Sequence, residues 1–335
     1  MIRTRTRMRT TATAVGATAL TGTLLLALSG CGKADMTKQT SPFAAAAGTK
    51  TVTLSTQTWV GAQSNVAVAK YLLEHELGYR VDTVQVDETP AWDALSQGRV
   101  DAIMEDWGHP TQEKMYVDDK KTIVRGGDLG VDGHIGWWVP KYWADKHPDV
   151  LNWKNLNKYA KQLKTAESGD KGQLMDGSPS YVTNDKALVK NLKLNYEVVF
   201  AGSEAAQITQ MQQFAKEKKP FLTYWYAPHW LFNQLPLKEV KLPKYTKDCA
   251  DKGTKDPTTI DCAYPTTPLQ KFFNADFAKG NSSAAKFLKN FKWSVGDQNY
   301  VSELIASKHM APEDAAASWV KKHPDVWRKW LPKNK

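Results

Sequence analysis

"TVTLSTQTWVGAQSNVAVAKYLLEHELGYRVDTVQVDE", residues 51–88, changes its periodicity twice. Apolar and polar residues alternate over Thr51–Ser55, apolar residues then recur at helical spacing from about Ser64 to Leu77, and alternation returns from Arg80 to Val86. Gly78 is placed to stop the helix. The spacing therefore predicts a strand, a helix and a second strand. The next segment, PAWDALSQGRVDAIMEDW (residues 90–107), repeats the pattern with a short helix, a Gln97-Gly98 turn and a strand over Val100–Met104. Strands alternating with helices predict an α/β fold with a sheet of parallel character.

A second group of strand candidates follows HIGWWVPKYW (residues 134–143): GQLMD (172–176), YEVVFAG (196–202) and PFLTYWY (220–226). Between the last two, SEAAQITQMQQFAKEKK reads as an amphipathic helix. The C-terminal third is expected to be helical, in AAKFLKNFKW, NYVSELIASKHM and PEDAAASWVKKHPDVWRKW. WADKHPDV at Trp143 and WVKKHPDV at Trp319 use one helix-ending solution twice, because proline is poorly placed inside a continuing helix. An ordered body of about 285 residues exceeds the usual single-domain size and predicts two lobes.

The N-terminus sets the compartment. Arg3, Arg5, Arg7 and Arg9 precede a short apolar run ending TLLLALSGCG, the pattern of a secretion signal over residues 1–30 rather than of a membrane span. LSGC, Leu28–Cys31, resembles the bacterial lipobox, which implies cleavage before Cys31 and a lipid on its sulfur. Residues 31–49, small and polar, read as a tether. Removing the signal lowers Lys+Arg from 45 to 41 against 35 Asp+Glu, and the lysines are scattered, so nucleic acid is not an expected partner. A body outside the cell membrane, lipid-anchored on the extracytoplasmic face, is the expectation. In that oxidising setting Cys249 and Cys262 are expected to close a hydrophilic loop with a disulfide worth roughly 3 kcal/mol. Two cysteines without nearby histidines do not make a metal site.

The order of elements through LGYRVDTVQVDETPAWDALSQGRVDAIMEDW, then TYWYAPHWLF and AAKFLKNFKW, resembles the substrate-binding proteins of ABC importers for glycine betaine, proline betaine, choline and related solutes. The resemblance runs from about Thr51 to Trp330. It implies a two-lobed periplasmic-binding-protein fold of the two-crossover type, with the ligand in the interlobe cleft. Residues 50–139 plus 240–335 would form one lobe and 140–239 the other, with crossings near Trp138–Tyr142 and Leu235–Leu242. It also implies a monomeric receptor with no cofactor, serving a membrane permease and its ATPase.

A quaternary ammonium is a poorly hydrated cation with no N–H to donate, and aromatic faces attract it through the ring quadrupole by about 0.5–2 kcal/mol per contact. The resemblance assigns the cage to Trp107, at the end of the strand Ala102–Met104, and to Trp225. WYAPHW is one residue longer before its proline than the family's Trp-x-Pro-x-Trp, which makes Tyr224 and Tyr226 the alternates to Trp225. Tyr181 and Tyr196 compete for the third wall. His229 and the backbone N–H groups around Trp59, Val60 and Gly61 would receive a ligand carboxylate. Glu105 and Asp106, flanking the first tryptophan, favour a cation and would repel a carboxylate, which keeps choline as an alternative ligand.

Two other classes compete. His109 and His229 with Glu105 or Asp106 form a conceivable acid-base or metal group, but HExxH, Walker, GxSxG and dinucleotide-glycine patterns are missing from the sequence. Thirteen tryptophans also suit a carbohydrate-binding surface lipoprotein. Sugar sites add planar polar side chains to their rings, and these strand ends are poor in Asn, Gln and Arg.

Overall fold

The opening unit forms as its periodicity predicts: β1 (Thr51–Thr56), α1 (Val60–His75) and β2 (Arg80–Gln85). The two strands are parallel, with Thr51 opposite Arg80. The computed structural model describes residues 50–333, so the signal, Cys31 and the tether lie outside the described residues. α1 begins at Val60, ahead of the apolar repeat. Its N-cap, Trp59, makes no side-chain cap. The Val60 N–H donates instead to Glu204 Oε2 at 3.1 Å. A first-turn donor is thus satisfied by a residue remote in sequence.

α2 (Glu88–Ser96) leads to β3 (Ala102–Asp106), which lies parallel to β1 and is buried along its whole length. The remaining strands are β4 (Ile123–Pro140), β5 (Gly172–Asp176), β6 (Tyr196–Phe200), β7 (Leu222–Ala227), β8 (Leu237–Val240) and β9 (Thr266–Asn274). Among the described residues they form one nine-stranded sheet ordered β2-β1-β3-β9-β4-β7-β5-β6, with β8 added to β4.

β9 corrects the expectation of an all-helical C-terminal third. It is antiparallel to β3 on one side and to β4 on the other. TTPLQKFFN hides its strand character behind Pro268 and Lys271. Lys271 is nevertheless fully buried. Its ammonium donates to the carbonyls of Leu288 and Lys289 at 3.1 and 3.0 Å, and to that of Phe291, at the end of the helix Ser283–Asn290. Burial lowers its pKa to about 7, against a smaller upward pull from Asp128. A side chain that periodicity reads as solvent-facing is here a helix C-cap.

Two large apolar cores are built on different stretches of the sheet. Val52, Leu54, Leu72, Phe287 and Trp319 belong to the first, and Trp137, Leu174, Tyr196 and Leu222 to the second. β4 runs through both: Leu129 and Val131 pack in the first core, Trp137 and Val139 in the second. On the return, Leu242, Ile260 and Tyr264 still pack with the second core, and Leu269 of β9 with the first. The packing changes hands near residue 133 outward and near residue 266 on the return, where Gly133 pairs with Thr267 in adjacent antiparallel strands. Cys249 and Cys262 are disulfide-bonded, so the segment between them is closed at its base. The helix Lys247–Lys255 carries Cys249 in its first turn and runs on into the segment.

The two HPDV segments end alike. His147 and His323 take similar extended-to-bridge conformations, and Pro148 and Pro324 each start the following turn.

Candidate functional site

Three strand ends and two loops converge on a cavity of about 440 Å³. β1 delivers Trp59, β3 delivers Trp107 and His109, and β7 delivers Tyr224 and Tyr226. Tyr181 comes from the loop after β5, and Tyr264 from just beyond the disulfide. The rings meet mainly edge to face: Trp59 and Tyr181 have centroids 5.9 Å apart at 83°, Trp107 and Tyr226 5.2 Å apart at 78°. Tyr181 continues to Tyr224 at 6.5 Å and Tyr224 to Tyr264 at 6.4 Å. Burial first, and nearby carboxylates second, raise the phenol pKa values of Tyr181, Tyr224, Tyr226 and Tyr264, so these rings stay neutral.

Strand parity corrects the assignment of Trp225. Alternate residues of a strand face opposite sides. Tyr224 and Tyr226 face the cavity, and Trp225 is fully buried on the other side with Val60, Met175, Met211 and Leu231. Tyr196 is likewise a core residue, its hydroxyl donating to the Leu156 carbonyl at 2.8 Å. Of the two tyrosines considered for the third wall, Tyr181 lines the cavity.

Glu105 does not line the cavity. It lies beneath it, 2% exposed, and accepts from the Trp59 and Trp107 indoles at 2.6 and 2.8 Å, from Asn65 at 2.5 Å and from Gln298 at 2.6 Å. Burial raises its pKa while these four donors lower it. One carboxylate therefore holds two cavity indoles, and Glu105 itself stands outside the cavity lining. Asp106 is also buried, accepting from His109 Nδ1 at 2.5 Å and from the Gly108 N–H at 2.9 Å. His109 Nε2 lies 3.0 Å from Glu88. Burial would lower the His109 pKa, but Asp106 and Glu88 together raise it to about 10, so the imidazolium persists at neutral pH.

Two of the donors expected to meet a ligand carboxylate, the His229 ring and the Val60 N–H, are already engaged. His229 Nδ1 accepts from the Leu231 N–H at 3.1 Å, which places the ring proton on Nε2, 3.1 Å from Glu204 Oε1. Glu204 Oε2 accepts from the Val60 N–H at 3.1 Å and from the Tyr226 hydroxyl at 2.9 Å.

Sequence reasoning did not find Glu88, Glu204, Tyr264 or Gly133. Glu204 stands in the first turn of the helix Glu204–Lys216, after the capping Ser203, and there looks like an ordinary dipole partner. Gly133 makes room for an indole: a Cβ there would lie 2.3 Å from Cζ3 of Trp107. Among the described residues, Cys249, Cys262 and Asp261 approach metal-ligating distance of one another, but both sulfurs are committed to the disulfide.

Two α/β halves joined through adjacent strands, with a cavity at their strand ends, define a two-lobed periplasmic-binding-protein fold. The solved lactococcal OpuAC, in its closed conformation with glycine betaine, matches with a TM-score of 0.67 at 23% identity, covering 84% of this chain and 100% of that one. The chain is 25% identical over 294 residues to the trimethylamine N-oxide-binding protein of Pelagibacter ubique (strain HTCC1062), covering 84% of this chain and 91% of that protein. It is 24% identical over 278 residues to the glycine betaine/proline betaine-binding periplasmic protein of Salmonella typhimurium (strain LT2), covering 76% and 82%. The OpuAC profile, substrate binding domain of ABC-type glycine betaine transport systems, matches residues 50–322, and the chain belongs to that family. It is a substrate-binding protein of the ABC-type glycine betaine transport family, whose members are transport receptors rather than enzymes.

Proposed function

We propose that the receptor captures glycine betaine or a related quaternary ammonium such as choline in the ring-lined cavity. The observation that carries this reading is the convergence of Trp59, Trp107, Tyr181, Tyr224 and Tyr226, from separate elements, on one cavity. A trimethylammonium head offers no hydrogen bond, so a site that selects it must surround it with polarisable faces, each adding about 0.5–2 kcal/mol. Trp107 and Tyr181 keep the roles expected of them, and Tyr224 and Tyr226 take the role expected of Trp225. The acidic setting, Glu88 in the wall with Glu105 and Asp106 behind it, supports a cationic ligand.

One lobe comprises residues 50 to about 133 with about 266 onward, and the other lies between, with the disulfide segment. The packing of Trp137, Leu242 and Tyr264 in one core supports these bounds over those expected from the sequence, 50–139 with 240–335 and 140–239. Rings from both lobes touch the ligand at once only when the lobes are together, so binding stabilises closure. The closed receptor, a monomer, delivers to a membrane permease powered by an ATPase. Cleavage after residue 30 and a lipid on Cys31 hold it at the extracytoplasmic face of the membrane, with residues 31–49 as tether.

Calorimetric titration of the protein with choline, glycine betaine, a neutral sugar and an amino acid tests the ligand class. Binding of at least one trimethylammonium compound, with the sugar and amino acid silent, is expected. Sugar binding with both ammonium compounds silent would transfer the site to carbohydrate.

A further inference from the structure

Glu204 is only 5% exposed, and its contacts have an unusual distribution. It sits on the helix Glu204–Lys216, yet its three donors come from three other places: the Val60 N–H at the start of α1, the hydroxyl of the cavity ring Tyr226, and Nε2 of His229. Every partner is a donor, the shell that suits an anionic oxygen pair. A ligand carboxylate would want the same shell. A backbone N–H opening a helix and an imidazole N–H are groups an incoming acid would seek, and here Glu204 already holds one of each, at Val60 and His229.

The rest of the cavity offers an acid group little compensation. No lysine or arginine is among its lining residues. His109 carries positive charge but is clamped between Asp106 at 2.5 Å and Glu88 at 3.0 Å. A carboxylate entering beside Tyr226 would meet Glu204 one hydroxyl away and Glu88 in the same cavity lining, and like charges at a poorly solvated site are strongly disfavoured. A cation without an acid group meets neither obstacle.

We propose that Glu204 is a specificity-determining residue whose carboxylate occupies the place of a ligand acid group, so the cavity takes methylated ammonium compounds that carry no carboxylate in preference to betaines. This rests on the reading of the cavity as a trimethylammonium site and narrows it. Glu204 acts through Tyr226, Val60 and His229, and its effect is on the choice between ligands.

Choline and glycine betaine form a matched pair, sharing the trimethylammonium head and differing in the acid group. Titration of the full-length protein with each, for the natural chain, Glu204→Gln and Glu204→Asp, reads the ratio of their affinities. The natural chain is expected to prefer choline by at least tenfold. Glu204→Gln, which removes the charge at constant shape, is expected to shrink that ratio by at least fivefold, and Glu204→Asp, which keeps the charge, to preserve the preference. A natural chain that binds betaine as tightly as choline overturns the proposal while leaving the cavity assignment intact, as does a Gln variant with an unchanged ratio. Silence toward both ligands removes the cavity assignment and this proposal with it. Should the variants prove too unstable to titrate, the ratio measured on the natural chain still decides.

Discussion

The ends of β3 and β7 carry the same ingredients, an indole, an imidazole and a buried carboxylate, in opposite arrangements. At β3 the indole of Trp107 faces the cavity, and the carboxylate orienting it, Glu105, is two residues away on the same strand. At β7 the indole of Trp225 faces the core, tyrosines on either side face the cavity, and the carboxylate is supplied by Glu204, 22 residues distant from Tyr226. A ring at a strand end acquires its role from parity, and a carboxylate acquires its role from whose donors it collects. Glu105 collects donors from Trp59, Asn65, Trp107 and Gln298 and makes one rigid wall. Glu204 ties α1 to the opposite side of the cavity.

The contrast between the two indoles is the easiest part to break. Trp107→Ala is expected to weaken choline binding about 30-fold, the equivalent of roughly 2 kcal/mol for one desolvated ring contact. Trp225→Phe is expected to leave affinity within about twofold and to lower the unfolding free energy by about 1–3 kcal/mol, as a core truncation does. Calorimetry and thermal melts on the same two variants check both; a Trp225 variant that loses affinity at unchanged stability would reverse the parity assignment.

A smaller effect sharpens the role of Glu105. Because it grips the indoles from beneath, Glu105→Gln is expected to reduce choline and glycine betaine binding by similar factors, about three- to tenfold, since an amide cannot accept from all four donors. A loss confined to choline would return Glu105 to direct ligand contact, the role its sequence position suggested.

The smallest expected effect concerns His109. Its pKa rises from 6.5 to about 10 in the fold, so the protonated form is bound more tightly folded than unfolded. That stabilisation is complete below pH 6.5 and declines as pH climbs through about 10. Melting temperatures from pH 6 to 10.5 should therefore fall less in His109→Gln than in the natural chain, and parallel profiles would remove the imidazolium from the wall.

Much of this was legible in the sequence. The β-α-β repeat announced itself because a two-residue period and a 3.6-residue period do not mimic each other. Trp107 lines the cavity as its strand-end position suggested, and of the two tyrosines that the sequence left open Tyr181 lines it and Tyr196 does not. Trp225 was misplaced by a single residue of register, and the extra residue before Pro228 was the visible sign: shifting a strand by one exchanges its faces. β9 escaped because a buried lysine and a proline interrupt its pattern, and only the three carbonyls around Lys271 explain why the charge is tolerated there. Glu204 escaped for a deeper reason. Its local sequence fully accounts for an acid at a helix start, so nothing remained to signal a second duty 144 residues away at Val60.

Gly133 shapes the cavity without being part of its lining. The six-membered ring of Trp107 lies close against the bare backbone of β4 at Gly133, and the cavity ring of Tyr181 lies likewise against Gly177, where a Cβ would come within 2.7 Å of Cε2. Each ring is seated on an absent side chain. The placement of these two rings therefore depends on two positions outside the cavity lining, and a methyl added at either would force its ring to move with every cavity side chain unchanged.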